Sequence, residues 1–148
     1  MHRTILAALT ILMAAFPAQA ENLPNVEVYK SPFCGCCAGW VDHMRDSGFP
    51  VTVRDLEDIS MIKRKAGVPE RLDSCHTAMV DGYLIEGHVP ASDIKRLLQL
   101  RPEGRGLAVP GMPIGSPGME QGDQHDPFDV ILLGSSEGGE VFSHHPGR

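Results

Sequence analysis

Positive charge is scarce in this chain: 13 Lys and Arg stand against 19 Asp and Glu, a formal net charge of −6. Nucleic acid and anionic lipid both call for a basic footprint, so neither is expected as a partner. An acidic balance suits cation handling and serves solubility equally well. Long apolar runs are lacking too. The stretch from Ile5 to Phe16 is too short and too weakly flanked for a membrane span, and nothing after it is long enough to be one. No segment repeats another. Cysteine is limited to four residues, and three of them fall at positions 34, 36 and 37.

The first twenty residues combine a short basic start (His2, Arg3), an apolar centre and the small residues Ala18-Gln19-Ala20, the pattern of a cleaved secretory signal. Residues 1–20 are therefore set aside as a signal peptide. Residues 21–148 form a single domain, large enough for one modest core and too short for two. The expected location is the periplasm.

The segment Lys30-Ser31-Pro32-Phe33-Cys34-Gly35-Cys36-Cys37-Ala38-Gly39-Trp40 organises the rest. Val26 to Tyr29 alternates apolar and polar residues, as a half-buried strand does, and a helical pattern follows from Ala38 to Met44. Cys34 thus falls on a strand-to-helix turn, where unpaired backbone N–H groups favour a thiolate over a thiol. Two readings arise. Cys34 and Cys37 make a Cys-x-x-Cys redox pair, whereas Cys34, Cys36 and Cys37 together make a cluster of sulfur ligands. A purely structural disulfide framework is awkward, because Cys36 and Cys37 are neighbours with α-carbons about 3.8 Å apart and Cys34 with Cys37 would close only a tiny loop.

Further along, Trp40, Val41, Met44 and Phe49 give the first helix its apolar stripe, and Ser47-Gly48-Phe49-Pro50 ends it. A second strand follows over residues 51–56. A second helix over residues 58–66 carries Ile59, Ile62 and Ala66 at helical spacing and stops at Gly67. A loop delivers Cys75 to a third strand over residues 76–80, which Asp81-Gly82 joins as a hairpin to a fourth over residues 83–88. A third helix opens at Ala91 and buries Ile94, Leu97, Leu98 and Leu100. The order β-α-β-α-β-β-α, with a right-handed crossover between the first two strands, is the thioredoxin-like α/β plan: a central mixed sheet with helices on both faces. In that plan Cys75 faces the Cys34–Cys37 turn. Residues 104–122 are so rich in Gly and Pro that neither helix nor central strand is expected there. Residues 129–133 and 140–143 read as a C-terminal hairpin around a turn at 135–139, and His144-His145-Pro146 as a frayed tail.

These motifs carry a resemblance. Tyr29 to Cys37, Ser74-Cys75-His76-Thr77, Glu86-Gly87-His88-Val89-Pro90, and Gly106 to Pro113 with Gly115 to Met119 resemble, in one order, the CopG-like family of small exported proteins, the domain of unknown function 411 type. That family is associated with copper and other metal resistance. The likeness runs from about Val26 to Glu120 and leaves the final hairpin out. It implies a thioredoxin-like fold with a copper-binding, redox-capable Cys-x-Cys-Cys site and a fourth cysteine at Cys75.

Residue chemistry leads to the same metal. Cu(I) is soft and prefers thiolate and thioether ligands, so Cys34, Cys36, Cys37 and Cys75 are the expected metal ligands. Zinc competes as a closed four-cysteine site. Adjacent helical side chains diverge by about 100°, which suits a multinuclear Cu(I) cluster with bridging thiolates better than one tetrahedral ion. His88, His76, Met112 and Met119 are candidates for additional ligands or close neighbours of the metal, each with an ordinary alternative as a solvated or packing residue. His43, His125, His144 and His145 read as surface residues, the tail pair being capable of weak Cu(II) binding. The alternative function is a thiol-disulfide oxidoreductase with Cys34 attacking and Cys37 resolving, although no Pro precedes the third strand, where thioredoxins place one. Partners are then metal ions and other periplasmic copper-handling proteins. Export predicts that mass spectrometry of secreted protein finds Glu21 at the N-terminus; an intact Met1 in a membrane fraction would contradict it.

Overall fold

The computed structural model describes residues 22–134 and 139–148. The signal segment and the tip of the last hairpin lie outside these residues. Among the described residues eleven elements follow one another: β1 (Val26–Lys30), α1 (Gly35–Asp46), β2 (Val51–Asp55), α2 (Ser60–Ala66), a 3-10 turn (Glu70–Leu72), β3 (Thr77–Val80), β4 (Tyr83–Glu86), α3 (Ala91–Leu100), β5 (Gly106–Ala108), β6 (Phe128–Leu133) and β7 (Glu140–His145). The strands form one seven-stranded mixed sheet in the order β2-β1-β3-β4-β5-β6-β7. β1 runs parallel to β2 and β4 to β5, and the other neighbours are antiparallel.

Period-two alternation decides which residues reach which face. Val26, Val28, Ala78, Val80, Ile85 and Leu107 join Trp40, Val41 and Met44 of α1 and Ile94 and Leu97 of α3 in the main core. Leu84 and Ala108, one residue out of phase, meet Leu72, Leu133 and Ala66 of α2 in a smaller core. The sheet is therefore covered on both faces. Local signals end the elements where the residues suggest: Gly67 caps α2 at φ 71°, and Asp81 (φ 46°) with Gly82 (φ 84°) forms the two-residue turn between β3 and β4.

Several features depart from the sequence reading, and one of them is Leu100, expected on the buried side of α3 and found exposed. Gly106-Leu107-Ala108 is a central strand, parallel to β4 and antiparallel to β6. Only three residues are needed, Pro110 lies beyond them, and Gly106 lets the backbone pass close to Leu84. The segment His144-His145 belongs to β7, with His145 opposite Phe128 and His144 opposite Asp129. His145 Nε2 lies 2.8 Å from Oδ2 of Asp93, which is buried, and the His145 ring stacks on Phe128 at 4.6 Å. In α2 the buried residue is Lys63, where the stripe of Ile59, Ile62 and Ala66 suggested an apolar face.

Gly106 yields the sharpest test of the sheet. Its φ is +148°, and a Cβ there would sit 1.7 Å from the Leu84 carbonyl oxygen. Gly106→Ala is expected to destabilise the fold by about 3 kcal/mol or more, read by urea unfolding; a change below about 0.5 kcal/mol would mean that β5 is not packed as described.

Candidate metal centre

Helix α1 begins directly at the cysteine turn. Cys34 is its N-cap with an extended backbone (φ −86°, ψ 99°), and its sulfur accepts the Cys37 N–H at 3.3 Å. The turn is closed by Cys34 N–H to Ser31 O (3.2 Å) and Ala38 N–H to Cys34 O (3.2 Å). On the β1 side, Lys30 is nearly buried; its ammonium pairs with Asp55 at 2.8 Å and donates to Ser31 O at 3.2 Å.

The four sulfurs converge. Cys34 and Cys37 are joined as a disulfide, and Cys36 and Cys75 are free thiols. Cys36 Sγ lies 3.4 Å from Cys34 Sγ and 3.8 Å from Cys75 Sγ, and all four sulfurs lie within 4.8 Å of one another. Cys37 is buried and the other three are half-buried, so the group opens to solvent on one side. Among the described residues these four make up the group close enough to share an ion, and neither His76 nor His88 is part of it. The donor set is entirely sulfur, which fits a soft ion; all four act as thiolates only after the disulfide has taken up two electrons.

The Cys75 loop is tied down from below. Lys63 Nζ meets Glu86 Oε1 (2.5 Å), Asp73 Oδ1 (2.8 Å), Ser74 O (2.9 Å) and Thr77 Oγ1 (3.2 Å). Glu86, fully buried, also accepts the Ser74 N–H at 2.8 Å and the Thr77 hydroxyl at 2.6 Å. Burial pushes the Cys75 thiol up to about 12, with further contributions from the charge and hydrogen bond of Cys36, partly offset by the Lys63 ammonium and by Ser74. Sequence reasoning missed Lys63 and Glu86. The available signal was a Lys four residues after Ile59 on an otherwise apolar helix stripe, and a Glu closing an apolar strand.

The accessory candidates separate. His88 lies beyond the end of β4 and is fully buried, its Nδ1 2.8 Å from Pro117 O. His76 is fully buried between Trp40 (4.4 Å between ring centroids) and His88 (5.0 Å). Among the described residues, both ring nitrogens of His76 and the Nε2 of His88 have no hydrogen-bond partner. His43, read as a surface residue, is half-buried, and its Nε2 accepts the Ala91 N–H at the start of α3 at 3.0 Å. Met112 is exposed and Met119 half-buried. Both sit in a loop clasped to the site: the Ser74 hydroxyl donates to Gly111 O at 2.6 Å, and Gly118 packs so closely on α1 that a Cβ there would lie 2.4 Å from Cys36 O. His144 is exposed beside Asp129, and His125 is partly buried.

Fold and site define the class: a small α/β protein with a seven-stranded mixed sheet and a four-sulfur cluster able to bind a metal. The family described as "Protein of unknown function, DUF411" matches residues 72–119. Two solved structures, named "Copper resistance protein copG- Form 2" and "Copper resistance protein copG- Form 1", are each 44% identical to this chain. Each alignment covers 84% of this chain and 99% of the other, with a TM-score of 0.79. No curated protein matches the chain. The chain belongs to the CopG-like copper-resistance family.

Burial lowers the basicity of His88 and, still more, of His76, whose ring also feels His88 and Lys63. Both stay neutral in the folded chain at a pH where the unfolded chain, with a histidine value of 6.5, takes up protons. Stability is therefore present above about pH 6.5 and is lost as pH falls below it, by at most about 1.4 kcal/mol per pH unit for each ring. Urea unfolding at pH 7.5 and 5.0 checks this, and His76→Phe should flatten the slope. A variant slope equal to that of the parent would contradict the assignment.

Proposed function

We propose that this chain is a periplasmic copper-binding protein of metal resistance, a thioredoxin-like domain that holds Cu(I) through Cys34, Cys36, Cys37 and Cys75. The observation that carries the reading is the convergence of four sulfurs within 4.8 Å of one another. Soft Cu(I) favours such a donor set over oxygen or nitrogen, and the names of the two 44%-identical relatives associate it with copper resistance. Short separations between neighbouring sulfurs suit bridging thiolates, and hence a multinuclear cluster. Met112, Met119, His88 and His76 supply the surroundings, the methionines from the loop clasped over the turn and the histidines from the core beneath it.

The same cysteines support redox exchange with copper. Reducing the Cys34–Cys37 disulfide to two thiolates takes two electrons, so two Cu(I) ions becoming two Cu(II) ions balance one disulfide. The reverse reaction returns both electrons and re-forms the S–S bond.

A thiol-disulfide oxidoreductase is the second reading, favoured by the disulfide between Cys34 and Cys37. Its substrate side would differ from that of thioredoxins, since Cys75 and His76 stand immediately ahead of β3. Cys36→Ser separates the two. Anaerobic titration of the reduced protein is expected to show more than one Cu(I) bound per chain, and Cys36→Ser to bind fewer although the Cys34 and Cys37 pair is intact. A Cys36→Ser protein that binds copper normally and reduces insulin would favour the oxidoreductase.

A further inference from the structure

We propose that Lys63 is the positioning residue for Cys75, with Glu86 as its fixed counter-charge. This rests on the reading of Cys75 as a copper ligand.

Cys75 lies on a loop ahead of β3, outside the paired strands, and its sulfur must still meet a turn whose nearest cysteine is 38 positions away. The Lys63–Glu86 pair holds the backbone on both sides of it. Ser74 is gripped twice, its carbonyl by the Lys63 ammonium at 2.9 Å and its N–H by the Glu86 carboxylate at 2.8 Å. Thr77 is gripped by the same two groups, its hydroxyl donating to Glu86 Oε2 at 2.6 Å and facing Lys63 Nζ at 3.2 Å. Residues 74 and 77 are thus fixed while the Cys75 side chain is left free to face Cys36 at 3.8 Å.

An ammonium has three protons, and four acceptors surround this one; it is fully used. A buried ion pair is a poor device for stability alone, because desolvation offsets most of the attraction and shape-matched apolar residues usually do as well. What such a pair supplies is direction. A metal site requires its ligands to be held to within about 0.5 Å, and an apolar contact between α2 and β4 would leave the Ser74 carbonyl and N–H unaimed. The ammonium also places positive charge against the residue next to a ligand that is anionic when it binds metal.

The test pairs Lys63→Met/Glu86→Leu, in which an apolar pair of similar size keeps the fold, with the milder Thr77→Val and with Cys75→Ser as reference. Two readouts are taken: oxidative cross-linking of Cys36 to Cys75 in metal-free protein, mapped by mass spectrometry, and Cu(I) affinity against a competing chelator. The double variant is expected to keep cooperative unfolding and a normal Cys34–Cys37 disulfide, to cross-link at least tenfold more slowly, and to weaken copper binding towards the level of Cys75→Ser. Thr77→Val should shift both readouts in the same direction by a smaller factor. Parental cross-linking rates in a folded double variant would overturn the proposal; if the double variant does not fold, parental rates in Thr77→Val would overturn it. Parental copper binding by Cys75→Ser would instead sink the copper role of Cys75, leaving placement to be judged by the cross-link alone.

Discussion

The antiparallel register of β1 and β3 is the constraint on which the site depends. Val26 faces Val80, Val28 faces Ala78 and Tyr29 faces Thr77. Cys75 leaves the sheet two residues before Thr77, and Cys34 five residues after Tyr29, so the pairing delivers both segments to the same end of the sheet. A slip of β3 by one residue would turn Ala78 and Val80 out of a core in which neither is exposed. A slip of two would carry Cys75 by about 6.6 Å, more than the whole span of the sulfur cluster. Packing of small apolar residues in β1 and β3 therefore helps to set the distance between the sulfurs.

On that frame the proposed function asks chemistry of two kinds of one set of atoms. The turn opens α1, and Cys34 and Cys37, one helical turn apart, are joined as a disulfide. Cys36 and Cys75 remain as thiols beside the disulfide. The number of thiols in the group follows its oxidation state: two in the oxidised chain, four in the reduced one. The Gly/Pro loop borders the site through Gly111 at the Cys75 side and Gly118 at the Cys36 side, and glycine at 118 is what lets its backbone lie against α1.

Much of this was legible because the signals are local. The alternation at Val26 to Tyr29, the Asp81-Gly82 turn, Gly67 as a helix cap and the crowding of Cys34, Cys36 and Cys37 each depend on a few adjacent residues. Features created by distant partners were harder to read. Gly106-Leu107-Ala108 becomes a strand because β4 and β6 lie on either side of it, and no three-residue window carries that information. Lys63 and Glu86 lie 23 positions apart, and each alone looks like a solvated charge. His145 is held by Asp93 and Phe128, so a tail that looks free in the sequence closes the sheet. His76 follows Cys75 and His88 lies past the end of β4, and the packing of their rings in the core, against Trp40 and the Pro117 carbonyl, depends on residues far off in the sequence.

Copper K-edge X-ray absorption of protein reduced and loaded with metal under anaerobic conditions reads the ligand atoms directly. The account predicts a Cu(I) edge, a first shell made of sulfur, and a copper–copper vector beyond it from bridging thiolates. A first shell dominated by nitrogen or oxygen, or copper displaced by an equal amount of zinc, would contradict a Cu(I) site built from Cys34, Cys36, Cys37 and Cys75.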